Sequence, residues 1–294
     1  MTDKQRTDPS LPSLHDPLLT ETLSDYDLQR LLDRIQVHHV HEPNFDCLER
    51  LRDAFSKSFA YENIDVLLGR EIRLNRGALV TKLLDQGRGG YCFELNTLFG
   101  IMLKTLGYDV AMHLGRVWLR NPQGVPERNH GTIIVVIENI SYLADVGFGG
   151  RSPRIVMRIL DDDAVLDGDA ANEPVRIIKF QDDLMVQRKI EGCWHNQFSF
   201  ERKPASVNDV AVANFFQYAY PDSQFKHHLF VGKFTENGRD GLFDTRVSRR
   251  VGSKVDTAQL TTFPEIFEVL RDVFRLDVGA VEAQLAECLQ GLKD

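Results

Sequence analysis

The chain is short of cysteine, has no long apolar run and carries no excess of positive charge, and each shortage removes a class of function. Four cysteines, Cys47, Cys92, Cys193 and Cys288, stand far apart in 294 residues with no CxxC pair. That excludes both the disulfide scaffold of small secreted domains and the ligand spacing of a zinc ribbon, and each cysteine is expected as a free thiol. No apolar run approaches the ~18 residues that span a bilayer, and the opening stretch MTDKQRTDPSLPSLHDP is polar with no apolar signal core, so a cytoplasmic protein without membrane contact is expected. Lysine and arginine number 35 against 43 acidic residues, for a formal net charge of -8. A phosphate-driven nucleic-acid surface needs the opposite balance and is not expected. His38, His39 and His41 cluster, and His227 and His228 are adjacent, but neither set has the i, i+4 or Cys/His spacing of a zinc site. No metal is expected.

What is present is ordinary globular material. The chain is 43% hydrophobic and 27% charged, enough to bury more than one core. Ser24, followed by Asp27 and by Leu28, Leu31, Leu32 and Ile35 at helical spacing, predicts a capped first helix. Leu48, Leu51, Phe55 and Phe59 predict a second, and GALVTKLLDQG a short third one ended by Gly87. From Asp109 the texture changes to short apolar segments, VAMHLGRVWL, TIIVVIE, SYLADVGFG, IVMRIL, PVRIIKF and LMVQRKIEGCWHNQFSF, the last with a turn at Glu191 and Gly192. Such a succession predicts an antiparallel barrel or curled sheet. The acidic stretch from Asp161 to Pro174 reads as a solvated loop, and the last ninety or so residues mix helix and strand.

Within GRGGYCFELN, Cys92 follows Gly89 and Gly90 and opens an amphipathic helical stripe of Leu95, Leu98, Phe99, Met102, Leu103 and Leu106 that ends at Gly107. The sulfur is therefore expected at the first turn of a helix, where unpaired N–H groups and the positive dipole end stabilise a thiolate. The two glycines would clear the approach to it. A small core hydrophobe after a tight turn is the alternative. His130 stands just before an apolar strand in RNHGTIIVV, and Asp145 ends one in YLADVGFGG, where loops begin and catalytic groups are displayed. Cysteine, histidine and aspartate together would supply a nucleophile, its base and the group that fixes the base's tautomer. A two-residue hairpin at Asn139 and Ile140 would set Asp145 opposite Ile134, on His130's face but about 13 Å away along the strand. A triad then requires another register or a bulge, with Gly131 the candidate.

These residues resemble the arylamine N-acetyltransferases. RGGYCFELN resembles that family's stretch around its nucleophile, ENIDVLLGREI (Glu62 to Ile72) its upstream stretch, and DVGFGG (Asp145 to Gly150) its aspartate motif. His130 follows Cys92 by 38 residues and Asp145 follows His130 by 15, as in the family pattern, and a weaker likeness continues through YPDSQFKHHLFVGKF. The resemblance implies an α+β fold with a cysteine-protease-like Cys-His-Asp core: a helical bundle over residues 1–86, an antiparallel β-barrel over 87–203 that starts with the nucleophile helix, and an α/β lid over 204–294. It implies acetyl transfer from acetyl-CoA, as co-substrate and not as a bound cofactor, to an arylamine, hydrazine or N-hydroxyarylamine by a ping-pong route. Cys92 would be the nucleophile, His130 the proton acceptor and Asp145 the orienter of the imidazole.

Around this core, Arg88 and Glu94 are expected to form a buried ion pair that braces the first turn, with plain surface charges as the alternative. Phe148 would wall an aromatic amine or simply pack, and Asn214 and Ser223 would contact the coenzyme. The basic run RVSRRVGSK could meet a 3′-phosphate or only face solvent. The chain departs from the family in having Asn129 where many relatives have threonine, and in the loop NPQGVPERNH, both of which bear on donor and acceptor preference. Propionyl-CoA or malonyl-CoA as donor, an amide synthase that closes a polyketide chain onto its own amine, a transglutaminase-like or papain-like hydrolase, and a non-catalytic binding module are the rival readings.

Overall fold

Helices first and strands after is the order found in the computed structural model, which describes residue 19 and residues 21–40, 42–119, 122–160, 164–166, 174–252 and 254–291. His41 and most of the acidic stretch 161–174 lie outside the described residues. Helix α1 (Asp25–Arg34) starts as read: Ser24 Oγ accepts from the Asp27 amide at 3.1 Å and donates to the Asp27 carboxylate at 2.8 Å. Helix α2 (Phe45–Ser58) is capped by Asn44. There follow a two-residue strand β1 (Tyr61–Glu62), the short helices α3 (Ile64–Leu67) and α4 (Arg76–Val80), and α5 (Cys92–Thr105). Between α4 and α5 the chain widens into a π-helical turn at Thr81–Asp85, where an ordinary helix was expected. The Gln86 amide reaches back to the Thr81 carbonyl, the i→i−5 bond of such a turn.

Helix α5 is not amphipathic. It is buried on every side from Cys92 to Leu103, because α1 and α2 cover one flank and the sheet covers the other. Leu95, Leu98, Phe99 and Met102 meet Leu48, Leu51 and Phe55 from the helices, and Met112, Leu114, Ile133 and Val135 from two strands, in one core. Its few polar residues, Glu94, Asn96 and Thr97, are therefore buried with it.

The strands β2 (Asp109–Val117), β3 (His130–Ile137), β4 (Ile140–Leu143), β5 (Met157–Arg158), β6 (Ala164–Leu166), β7 (Val175–Phe180), β8 (Asp183–Ile190) and β9 (Cys193–Glu201) form an antiparallel sheet curled into a nearly closed barrel, in the order β5-β4-β3-β2-β9-β8-β7-β6. Alternation along β3 explains its double role: Ile133 and Val135 face α5, while Ile134 faces the barrel interior with Val175, Val186, Phe198 and Phe200. The turn between β8 and β9 falls at Glu191 and Gly192, both with positive φ, as read from the sequence.

Helix α6 (Val207–Ala219) leads into a second sheet made of β10 (Phe230–Thr235), β11 (Gly238–Phe243), β12 (Arg246–Val251) and β13 (Lys254–Gln259), backed by α7 (Phe263–Asp272) and α8 (Glu282–Gly291). Strand β1 from the helical region completes this sheet by pairing with β10, and this ties Tyr61 and Glu62 to the third part of the chain. The basic run forms β12, where Arg249 pairs with Asp240 at 2.9 Å.

Phe99 is fully buried with its ring 5.2 Å from that of Phe55. Phe99→Ala should lower the unfolding free energy by about 3–5 kcal/mol, read as a lower urea midpoint with an unchanged slope.

Candidate active site

The β3–β4 hairpin turns one residue earlier than expected. Its turn residues are Glu138 and Asn139, with φ of 51° and 65°, the left-handed pair that a two-residue type I′ turn requires. Ile137 then pairs with Ile140 and Ile134 with Leu143. Continuing this register sets Asp145 opposite Thr132, two residues from His130 instead of four, or about 7 Å of strand. The strand ends at Leu143, and the following loop carries the carboxylate the rest of the way. No bulge at Gly131 is involved, since Gly131 pairs regularly with Leu114 and His130 with Gly115. The imidazole of His130 thus meets Asp145, Nε2 to Oδ2, at 2.8 Å with both side chains buried.

The loop that delivers Asp145 is held by hydrogen bonds. Asp145 Oδ1 accepts from the amides of Gly147 and Phe148, both at 2.9 Å, and from Ser152 Oγ at 3.2 Å. Asn96, one turn after Cys92, donates to the Gly131 carbonyl at 2.7 Å and to Asp145 Oδ2 at 3.4 Å, and accepts from the Val146 amide at 3.0 Å. Gly147 lies so close to the nucleophile turn that a Cβ there would stand 2.8 Å from Cys92 Cα, so only glycine permits the contact. From α2, the buried Arg52 guanidinium donates to the carbonyls of Asp145 and Pro153.

Cys92 is buried at the first residue of α5. Its sulfur faces the Asn129 carbonyl at 3.8 Å and adds to the field on the His130 imidazole, which Asp145 holds through Nε2. The imidazole is clasped between the rings of Phe148 and Phe198, at centroid distances of 5.0 and 4.7 Å. Burial alone would lower the His130 pKa, but the charge and hydrogen bond of Asp145 outweigh it, with help from Cys92, and push it up to about 10. Burial would likewise raise the Asp145 pKa, and the attraction of His130 together with the hydrogen bonds from His130 and Gly147 holds it below the usual carboxylate range. The two shifts describe one buried ion pair with a sulfur beside it.

Glycines 89 and 90 have a different role from the one read. A Cβ on Gly89 would stand 2.1 Å from the Ala60 carbonyl, and one on Gly90 would stand 2.8 Å from Glu94 Cβ. They let the chain press against β1 and the helix start, and they do not open an approach. Arg88 and Glu94 are both buried, yet they do not pair with each other. Glu94, three residues into the turn, folds back to accept from the Tyr91 amide at 3.1 Å and takes its cation from Lys82 at 2.7 Å. Arg88 precedes the helix beside β1 and meets Glu62 at 2.8 Å and Asp65 at 3.6 Å. Lys82 also reaches Asp65 at 2.8 Å and Arg70 reaches it at 3.2 Å, so Arg88 and Glu94 belong to one network of three cations and three carboxylates. Burial would lower the Lys82 pKa, and Glu94, Glu62 and Asp65 more than reverse it.

Asn214 and Ser223 spend their polar groups inside the protein. Asn214 donates to the Ile72 carbonyl at 2.9 Å and accepts from the Tyr91 hydroxyl, and Ser223 donates to the Gln217 carbonyl at 2.7 Å. Phe148 stands at the imidazole. Sequence reasoning passed over Asn96, Arg52, Lys82 and Tyr61. Tyr61 packs on Phe225 at 6.4 Å, and its phenol is raised well above the usual range by burial and then by the charges of Cys92 and Asp145. Arg52 and Asn96 left a signal, each being a polar residue on an otherwise apolar helix stripe. No group of His, Cys, Asp and Glu among the described residues could hold a metal.

The N-acetyltransferase family model matches residues 44–283. The arylamine N-acetyltransferase / N-hydroxyarylamine O-acetyltransferase of Salmonella typhimurium is 31% identical over 266 residues, covering 88% of this chain and 94% of that protein. The arylamine N-acetyltransferase of Escherichia coli is 32% identical over 237 residues, covering 80% and 83%. Among solved structures, the Salmonella typhimurium enzyme superposes with a TM-score of 0.85 at 29% identity, over 92% of this chain and all of that one. Mycobacterium marinum arylamine N-acetyltransferase in complex with CoA gives 0.85 at 29% identity over 90% and 99%.

The ion pair makes stability depend on pH in a stated direction. Between its unfolded value of about 6.5 and its folded value of about 10, His130 binds more protons folded than unfolded. Its contribution is therefore full below about pH 6.5 and is lost as pH rises toward 10. Asp145 acts oppositely, contributing above its unfolded pKa and losing that contribution as pH falls through its folded value. In urea unfolding across pH 6.5 to 10, the wild type should lose stability as pH rises, and Asp145→Asn should flatten that slope.

Proposed function

The chain belongs to the arylamine N-acetyltransferase family, and from that premise we propose that Cys92, His130 and Asp145 carry its reaction, acyl transfer from an acyl-CoA co-substrate to an arylamine. The observation that carries this reading is the buried Asp145–His130 contact of 2.8 Å, with the Cys92 sulfur 3.8 Å from the carbonyl of Asn129, the residue next to His130. In the first half-reaction the sulfur, its proton taken by His130, attacks the carbonyl carbon of acetyl-CoA. The carbon–sulfur bond to the coenzyme breaks, and coenzyme A leaves as the thiol with the proton that His130 returns. In the second, the amine nitrogen attacks the acetyl-Cys92 carbonyl, the bond to Sγ breaks, and the amine's proton passes to His130. Asp145 holds the imidazole by Nε2 and so fixes its orientation, and the positive end of α5 lies at Cys92.

The acceptor is a small aromatic amine, hydrazine or N-hydroxyarylamine. Phe148 and Phe198 at the imidazole, with Tyr61 and Phe225 nearby, give an aromatic surround suited to a ring. Acetyl-CoA is the donor we assign, with propionyl-CoA and malonyl-CoA as competitors in the same assay. The amide-synthase alternative finds no support among the relatives named above. No helix among the described residues is long and apolar enough to cross a membrane. All four cysteines are free, Cys193 on the surface, and an exposed free thiol fits the reducing cytoplasm in which we place the protein.

Initial rates with acetyl-CoA and 4-methoxyaniline varied together should give parallel double-reciprocal lines, and Cys92→Ser should fall by at least about a thousandfold in kcat while keeping the wild-type melting temperature. Intersecting lines would indicate direct transfer within a ternary complex and refute the acyl-enzyme.

A further inference from the structure

Asn129 departs from the family pattern at the sulfur itself. Its backbone carbonyl is the group that Cys92 Sγ faces at 3.8 Å. Its side-chain Oδ1 is buried and has no hydrogen-bond donor among the described residues. Native structures rarely leave such an acceptor unpaired, because its lost hydration goes uncompensated, and where they do a ligand often supplies the donor. The residue is also fixed in place. On one side His130 is held in the β2–β3 ladder. On the other, the Asn129 amide donates to the Glu127 carbonyl at 3.0 Å, Arg128 pairs with Glu201 at 2.7 Å, and Arg116 donates to the Pro126 carbonyl. A preorganised, unsatisfied oxygen therefore sits on the residue that adjoins the base and whose own carbonyl faces the nucleophile.

We propose that Asn129 Oδ1 accepts a hydrogen bond from the attacking nitrogen and makes the enzyme selective for nucleophiles of the form R–NH2. The inference rests on the acyl-transfer reading above. As the lone pair of a primary amine forms its bond to the acetyl carbon, the nitrogen becomes positive and both of its hydrogens become stronger donors. One is taken by His130 as the C–S bond breaks and its electron pair returns to Cys92. The other stays on nitrogen in the amide product and is held by Asn129 throughout. A nucleophile with a single hydrogen on its attacking nitrogen, such as a secondary amine, gives that hydrogen to His130 and has none left. Because the bond strengthens as charge develops, it acts on the rate of attack and not only on binding.

The test separates the two half-reactions. Cys92 is loaded with acetyl-CoA, the coenzyme is removed, and discharge is followed by rapid quench with 4-methoxyaniline and with its N-methyl derivative. Asn129→Leu, close in size but without the oxygen, should slow discharge by the primary amine about tenfold. It should leave loading by acetyl-CoA and discharge by the N-methyl amine within about twofold of wild type. Asn129→Ala, a smaller truncation carried through the same measurements, should behave likewise. Equal slowing with both amines, slower loading, or no change in any rate would each overturn the proposal. Failure of the wild type to load at all would refute the acyl-transfer reading itself, a different result from any of these.

Discussion

A carboxylate with almost no access to water sits at the centre of this protein, and the structure around it is arranged to keep it ionised. Burying an unpaired carboxylate costs several kcal/mol even after relaxation, so Asp145 can remain charged only where enough donors meet it. Two backbone amides, the Ser152 hydroxyl, the Asn96 amide and the His130 imidazole do so. They come from different parts of the chain: the 146–152 loop, helix α5 and strand β3, with Arg52 of α2 holding the loop's carbonyls from behind. The helical region and the barrel are thus locked in register by one charge. The same charge holds the imidazole, and the carbonyl of the residue before it meets the sulfur.

The nucleophile turn has a second support on its far side. Lys82, delivered by the π-helical turn, holds Glu94, which in turn caps the Tyr91 amide, and Arg88 is held by Glu62 at the edge of β1. Groups this deeply buried contribute little net stability relative to apolar packing, but removal of one partner strands the other. Their effect is geometric. With Gly89 against Ala60 and Gly147 against Cys92, they leave the first turn of α5 a single position relative to His130.

Much of this was legible in the sequence. Cys92 after a glycine pair, His130 before an apolar strand and Asp145 at the end of one mark the places where strands and helices give way to loops, and the structure brings the three together. The hairpin register was not legible to one residue, because Glu138 and Asn139 announce a left-handed turn only weakly against the neighbouring Asn139–Ile140 choice. That single step closes about half of the expected 13 Å gap, and the loop after Leu143 closes the rest. Pairing within the charged network was hidden because Arg88 and Glu94 are near in sequence while their partners, Glu62 and Lys82, are placed by β1 and the π-turn. Strands β11 to β13 escaped because they are polar, β11 burying Gly238 and Asp240 on its inner face and β13 exposed along its whole length, so no apolar alternation marks them. Asn214 was read as a coenzyme contact because its stretch resembles the family's lid, and a likeness of that kind carries no trace of the internal tie to Tyr91 and Ile72 that the residue makes.

The central claim is that the sulfur held by His130 becomes acylated and then gives up its acyl group. The direct measurement is the intact mass and cysteine-peptide map of the protein after incubation with acetyl-CoA in the absence of amine, repeated after adding an arylamine. A single acetyl group on Cys92, absent from Cys47, Cys193 and Cys288 and lost on adding the amine, is the predicted result. An acetyl group on any other cysteine, or one on Cys92 that the amine does not remove, would contradict it.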